Sequence, residues 1–405
     1  VMIKALVLSQ YWYPENGVAQ RRWQWLTGIA TANGVSVQVM APPPHYRRTI
    51  DFSDWLASAF SLSRGQSVEH GPVGETIVRT PFLPSSNSLT GKALNQLAVA
   101  GGMLLTLGFR RQKRPVKPDV VIGTVPAIPT AFITFIVAKG FGVPYIIDLR
   151  DAWPELLGES ARWNEYSGEK RSFREVILRK GPLQLATKVL LWAFPRILAR
   201  AEHVLVTAES MEQSIPAYLS TKGLDSPPVS TVRNVFPPIT VPKIKRKRGL
   251  NSPFRVLYAG TMGRAQDLNN ALAAAKLLAK DGVEVEMRFV GAGAAKHKLR
   301  EQAKRLGIST EFLPEVQSSQ LEEHYAWADT CLVHLADWES LKKAVPSKLY
   351  ELVSNRIHIT AVVQGEAGDL VSALHAGVVV PPGNPFALAE VWYTLINNPE
   401  MLDIG

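Results

Sequence analysis

The chain has 405 residues, 46% of them apolar and 20% charged, which calls for two or three folded domains and excludes wholesale disorder. One cysteine excludes a disulfide framework and a multi-cysteine metal site, and the eight histidines show no metal-ligand spacing. The net charge of +10 favours an anionic membrane surface, phosphorylated substrates or nucleic acid, with a basic surface lacking any specific partner as the plain alternative.

In chain order, "VMIKALVLSQYWYP" reads as a first strand, because no basic segment precedes a long apolar run as a signal peptide would require. A helix over residues 18–31 follows, with Trp23, Leu26 and Ala30 on one face, and then the strand "VSVQVMAP". The longest apolar stretch, 94–109, contains glycines and falls short of the roughly 18–20 residues that span a bilayer. The basic run "FRRQKRPVKP" directly follows it. Next come "DVVIGTV" (119–125), a helix over 128–139, "PYIIDLRD" (144–151), the stretch "LLWAFPRILAR" (190–200) and "HVLVTA" (203–208). Strands alternating with helices indicate βαβ units and a parallel sheet. The stretch 190–200 alternates bulky apolar residues with arginine. With the basic run after 109, it suits a segment lying in a membrane interface. Nucleic acid is not expected, because the basic residues are not interleaved with a stacking platform.

Residues 235–253 are rich in proline and basic residues and read as a linker between an N-terminal domain (1–234) and a C-terminal domain (254–405). The second half repeats the grammar of the first. It runs "FRVLYAG" (254–260), a helix over 268–280, "VEMRFVGAG" (285–293), "AKHKLREQAKRLG" as a helix ending in glycine, "STEFLPEV", and a helix over 321–328. Then come "TCLVHLA", a helix from about Lys348, and "HITAVV". The lone Cys331 falls in a buried strand, as a small core residue. Two doubly wound α/β domains imply a cleft, with ligands bound outside the carboxyl ends of the strands.

Three loops in the second half are candidate phosphate sites. "AGTMGRAQDL" brings Gly260 and Gly263 close to a ligand with Arg264 nearby, "VGAGAAKHK" follows the next strand, and "AVPSKLYE" leads into a helix. A helix N-terminus presents free N–H groups and the positive end of a dipole. Lys348 would add a full charge for a diphosphate, and Glu351 could bind the two hydroxyls of a ribose. The same spacing equally describes a solvated i, i+3 ion pair. "GAGAAK" is not a complete G-x-G-x-x-G, so a nicotinamide cofactor is disfavoured.

Together these motifs resemble the retaining glycosyltransferases of family four, which have the GT-B fold of two Rossmann-like domains facing a cleft. "YWYPENGVAQRR" looks like the family's opening loop. "RDAWPE" (150–155) looks like the R-D-x-W-P-E of a subgroup that adds N-acetylated or deoxy sugars to lipid-linked or surface-polysaccharide precursors. "YAGTMGRAQDL", "FVGAGAAKHKLREQA", "EFLPEV" and "PSKLYELVSN" follow in the family's order. The resemblance implies that Glu351 holds the donor ribose, while Pro346, Ser347, Lys348 and Leu349 form the helix start around the diphosphate. Gly260, Thr261, Gly263, Arg264, Gln266 and Gly291 lie at the phosphate loops. The backbone of Phe312, Leu313 and Pro314 reads the base, and Gly17 closes over the phosphates. The implied donor is a nucleoside diphosphate sugar, with UDP favoured, and neither a cofactor nor a metal is required.

The sequence departs from the pattern at Lys343, where the first glutamate of E-x7-E is expected, with Asp337 or Glu339 as possible substitutes. It also has a single glycine at Gly17 and a reduced basic pair (Arg264 with Gln266), and the family's final helix crossing back to the first domain is expected to be missing. Lys348 and Arg264 are the candidate catalytic cations, and Asp151 is the candidate group that orients the acceptor hydroxyl; an Arg150–Asp151 pair capping the loop is its alternative. The acceptor is expected to be lipid-linked or a surface glycan, reached by a cytoplasmic enzyme peripheral to the inner face of the membrane. A nucleotide-sugar 2-epimerase and a non-catalytic nucleotide-sugar-binding protein are the competing readings.

Overall fold

The computed structural model describes residues 2–15, 17–44, 68–83, 89–109, 116–125, 128–151, 182–235, 252–316 and 320–404. The chain forms two compact units; among the described residues the first runs to Arg233 and the second from Asn234. Most of the linker proposed over 235–253 lies outside the described residues.

The first unit is an eight-stranded sheet. Its strands are β1 (Ile3–Leu8), β2 (Val35–Ala41), β3 (Val68–His70), β4 (Thr76–Arg79), β5 (Val120–Val125), β6 (Tyr145–Leu149), β7 (His203–Val206) and β8 (Val229–Thr231), in the order β3-β4-β2-β1-β5-β6-β7-β8. Only the β3–β4 edge pair is antiparallel. β1, β5 and β6 are almost wholly apolar, because parallel strands covered on both faces have no wet side. The covering helices are α1 (Val18–Ala32), α2 (Leu89–Phe109), α3 (Ile128–Phe141), α4 (Pro182–Ala199) and α5 (Glu209–Ser220). The apolar stretch at 94–109 is therefore part of a sheet-covering helix. Among the described residues no helix is long and apolar enough to cross a membrane.

One ion pair sits inside this unit. Arg22 of α1 and Asp148 of β6 are both fully buried, with Nη2 2.8 Å from Oδ1. Trp23 Nε1 donates to the other carboxylate oxygen at 2.9 Å, and Arg22 Nη1 donates to the Val232 carbonyl at 2.6 Å. The pair joins the first helix to a central strand and to the chain just beyond β8.

The second unit is a fully parallel six-stranded sheet of β9 (Phe254–Ala259), β10 (Val285–Val290), β11 (Thr310–Leu313), β12 (Thr330–His334), β13 (Ile359–Val362) and β14 (Gly377–Val380), in the order β11-β10-β9-β12-β13-β14. Its helices are α6 (Asn269–Lys280), α7 (Lys296–Leu306), α8 (Leu321–Trp327), α9 (Ser347–Ser354), α10 (Glu366–Ala373) and α11 (Pro385–Asn397). Phe254, Leu272, Phe289 and Trp392 anchor its core. Elements without a clear period in the sequence, such as β8, β14 and the β3–β4 edge, are short strands of three or four residues. Cys331 is buried in β12, and burial pushes its thiol pKa well up.

Two buried histidines lie at the second sheet, His334 at the end of β12 and His358 just before β13. His358 Nδ1 lies 2.9 Å from the Thr330 hydroxyl, which itself meets the Thr360 hydroxyl at 2.9 Å. Burial lowers the pKa of His358 to about 4 and that of His334 to about 3.

Arg22→Met strands the Asp148 carboxylate in the core, so unfolding free energy should drop by about 3–5 kcal/mol in a urea titration, and adding Asp148→Leu to the same chain should recover most of it. A second prediction concerns acid. Unfolded imidazoles protonate near 6.5, so the histidine contribution is complete above that pH and is lost as pH falls toward 4 and 3. Asp267, raised to about 6 by burial, and Asp151, whose carboxyl is also raised, act in the opposite sense, but His324, lowered by burial, joins the other two imidazoles and three outweigh two. Stability should fall between pH 6.5 and 4, and His358→Gln should flatten that fall; equal slopes for the two proteins would refute the assignment.

Candidate functional site

Because every strand of the second sheet is parallel, the loops after β9, β10, β11 and β12 emerge at one edge. They are stitched together by the main chain. Gly260 N–H donates to the Val290 carbonyl (3.0 Å), Met262 N–H to Ala292 (2.8 Å) and Ala295 N–H to Met262 (3.0 Å). Gly291 N–H reaches Leu313 (3.3 Å), and Ala336 N–H reaches Ala265 (2.8 Å). Gly291 and Gly293 have φ of +143° and +151°, and a Cβ on either would overlap the carbonyl of Gly260 or Met262 respectively. Lys296 opens α7 and reaches back, its ammonium donating to the Gly291 carbonyl at 2.7 Å and the Leu313 carbonyl at 2.5 Å. Sequence reading did not single out this clamp.

In the first loop, Tyr258 Oη donates to the Thr261 carbonyl at 2.7 Å, and the Gly263 N–H donates to Gln266 Oε1 at 3.0 Å. Gln266 thus holds its own loop, while Arg264 stands beside it half-buried in the short turn Arg264–Gln266. Asp267 follows with φ of +38°, in a hollow lined also by Gly263, Asn269, Ala295 and Lys298. Below, Asn270 Nδ2 lies 3.0 Å from Nε2 of the buried His334 at the end of β12. Burial disfavours the imidazolium, so the ring is neutral and its Nε2 accepts from the amide.

The α9 start carries the pair that the sequence emphasised. Pro346, with φ −58° and ψ 128°, caps α9 without any side-chain hydrogen bond; its carbonyl accepts from the Leu349 N–H, and its side chain takes up neither the Ser347 nor the Lys348 amide. Lys348 Nζ lies 3.0 Å from Glu351 Oε2, and the Glu351 side chain is only 8% exposed. Tyr325 of α8 donates to Glu351 Oε1 at 2.6 Å and lies 3.3 Å from Lys348 Nζ. The ion pair allowed by the spacing is therefore present, but as a half-buried triad and not a solvated one. Tyr325 was missed because nothing in the local sequence links it to a residue 26 positions later.

The other candidates divide by unit. Ser347 lies in the first turn of α9, whereas Leu349 is fully buried and its N–H donates to the Pro346 carbonyl at 2.9 Å. Phe312 in β11 stacks on Phe289, with ring centroids 4.8 Å apart; Leu313 follows it and Pro314 is exposed just beyond. Lys343 ends the turn Glu339–Lys343, where Glu339 is paired with Lys342 at 2.6 Å, and Asp337 is exposed. Gly17 and Asp151 belong to the first unit. Gly17 caps α1 in an extended conformation, and Asp151 lies just past β6, so both follow the carboxyl ends of parallel strands in one sheet. Asp151 is exposed, yet the protein around it raises its carboxyl pKa, with Arg150 opposing. The rest of the "RDAWPE" segment lies outside the described residues, as does the basic run at 110–115. Among the described residues no group of three or more His, Cys, Asp or Glu converges as a metal site.

The family "Glycosyl transferases group 1" matches residues 240–403, so the chain carries the domain of a glycosyltransferase in its second unit. None of the curated proteins matches. Among solved structures, the chain is similar to sucrose-phosphate synthase from Thermosynechococcus elongatus (13% identity, TM-score 0.68, covering 99% of this chain and 92% of that one). It is also similar to HepE from Anabaena in complex with UDP-glucose (14%, 0.61, 99% and 92%). A third is WaaG, a glycosyltransferase involved in lipopolysaccharide biosynthesis (14%, 0.58, 98% and 92%). The fold is GT-B.

Gly293→Ala should break the seam between the first two loops, since the added methyl meets main chain that cannot swing away. The expected loss is about 2–4 kcal/mol in a denaturant titration, the cost of a forbidden backbone conformation plus overpacking. Gly282→Ala, at a positive φ with open space around it, is the control and should cost about 1 kcal/mol.

Proposed function

We propose that this glycosyltransferase moves a sugar from a nucleoside diphosphate sugar to a lipid-linked or cell-surface glycan acceptor, with retention at the anomeric carbon. The observation that carries the donor assignment is the α9 start, where first-turn amides without a side-chain cap, a cation and a nearly buried carboxylate lie together. A diphosphate on those amides and on Lys348, with Arg264 alongside, would meet its charge without a metal. Glu351 turned toward the ribose hydroxyls would exchange Lys348 for the donor while Tyr325 keeps its other oxygen fixed. UDP is preferred by analogy with the nucleotide held by HepE.

In the reaction the bond from the anomeric carbon to the diphosphate oxygen breaks and a bond to the acceptor oxygen forms on the same face. The acceptor proton passes to the departing diphosphate, so no carboxylate nucleophile is needed, and Asp151 orients the acceptor hydroxyl. The stabilised species is the leaving diphosphate, whose negative charge grows as the bond stretches. The first domain (1–234) would receive the acceptor and the second (254–405) the donor, across the linker at 235–253. The net charge of +10 supports work at the cytoplasmic face of an anionic membrane, with no nucleic acid involved.

The test is nucleotide release from UDP-sugars in the presence of membrane extract. Lys348→Ala should lower kcat about 100-fold, the usual loss for one group that stabilises a leaving charge. Glu351→Ala should mainly weaken donor binding, visible as a lost UDP-induced rise in melting temperature relative to GDP, ADP and TDP. Undiminished turnover in both variants would place the donor elsewhere.

A further inference from the structure

The strongest feature outside the donor site is the outer face of three neighbouring helices of the first unit. α3 packs between α2 and α4, so the three form one layer over the sheet. They are 21, 14 and 18 residues long and contain no Asp or Glu, although the chain has 35 acidic residues in all. Their only charged residues are Lys92, Lys139, Lys188 and Arg196. Their solvent side is apolar: Leu97 and Leu105 of α2, Ile136 of α3, and Val189 and Trp192 of α4 are 47–62% exposed. Arg196 lies over the Trp192 ring at 4.3 Å and donates to the Trp192 carbonyl at 2.6 Å, and Lys139 lies 5.8 Å from the Phe135 ring centre. Tyr145 of β6 donates to the Ile197 carbonyl at 2.6 Å, tying α4 to the sheet so that the face is held rigid.

We propose that this layer docks on an anionic lipid bilayer, with Trp192 and the leucines entering the headgroup boundary and Lys139 and Arg196 meeting lipid phosphates. The inference rests on the reading of a membrane-bound acceptor and names the surface and the lipid charge that reading leaves open. Charge decides the occupant. A two-fold pairing of this face with a second copy would set cations against cations, with no acid on any of the three helices to meet them. An anionic bilayer complements the same cations and takes up the apolar side chains together.

The test is flotation of the full chain with vesicles of phosphatidylglycerol or of phosphatidylcholine. Binding should require the anionic lipid and weaken in high salt. Trp192→Glu should reduce binding about tenfold and the pair Lys139→Gln with Arg196→Gln severalfold, while donor turnover with a water-soluble acceptor stays unchanged. Trp192 and Lys139 are exposed and Arg196 is half-buried against the Trp192 ring, and the glutamine pair gives an answer even if Trp192→Glu were to misfold. Equal binding to both vesicles, no binding, wild-type binding by both variants, or a dimer that Trp192→Glu dissolves would each overturn the proposal. A chain that floats but turns over no donor supports this surface and counts against the transferase reading; turnover without flotation does the reverse.

Discussion

The carbonyl oxygens of Gly260 and Met262 occupy the space that side chains at 291 and 293 would need, and the carboxyl edge of the second sheet is organised around that exclusion. Two loops from neighbouring strands can approach to main-chain hydrogen-bonding distance only because one of them carries no Cβ at two positions. The approach fixes the first loop, which carries Arg264, and through Ala265 it also fixes the segment after β12 that leads into α9. Lys296 completes the arrangement with a charge on carbonyls that a strand end would otherwise leave to water. A cradle made largely of backbone is stiff, and stiffness is what an electrostatic site needs, because dipoles that do not have to reorient stabilise a developing charge at no further cost.

Much of this was legible in the sequence, and the legible part has a common character. Strands such as "FRVLYAG" and "VEMRFVGAG" announce themselves because both faces of a parallel sheet are buried, so the residues are apolar without alternation. The α9 start was readable because its proline, lysine and glutamate lie within six residues of one another. The parts that escaped are pairings across distance. Tyr325 and Glu351 lie on different helices, and Arg22 meets Asp148 from 126 residues away. In "IIDLRD" the sequence drew attention to Asp151 at the strand end, while the fully buried carboxylate is Asp148, which looks like one more polar residue until Arg22 and Trp23 are seen on it. Short strands such as β8 and β14 escaped for another reason, since three or four residues hold too little pattern to separate them from turns.

The two units handle charge differently. In the first, one ion pair is sealed in the core with every carboxylate oxygen engaged, and the helices α2, α3 and α4 carry no acid at all. In the second, cations collect where the backbone already presents donors: Arg264 by the first loop, Lys296 and Lys298 by the second, and Lys348 at α9. A helix end and a lysine add because both act on the same ligand charge, and a partly buried carboxylate beside them keeps the lysine from drifting when no ligand is present.

The sealed thiol of Cys331 has a practical consequence. At 3% exposure, and with its ionisation suppressed by burial, it is invisible to maleimides and other sulfhydryl reagents added to the folded chain. The natural sequence therefore serves as a blank background for site-directed labelling. A single cysteine introduced on each unit would accept a donor and an acceptor dye, and energy transfer between them would report the distance between the two labelled sites in solution.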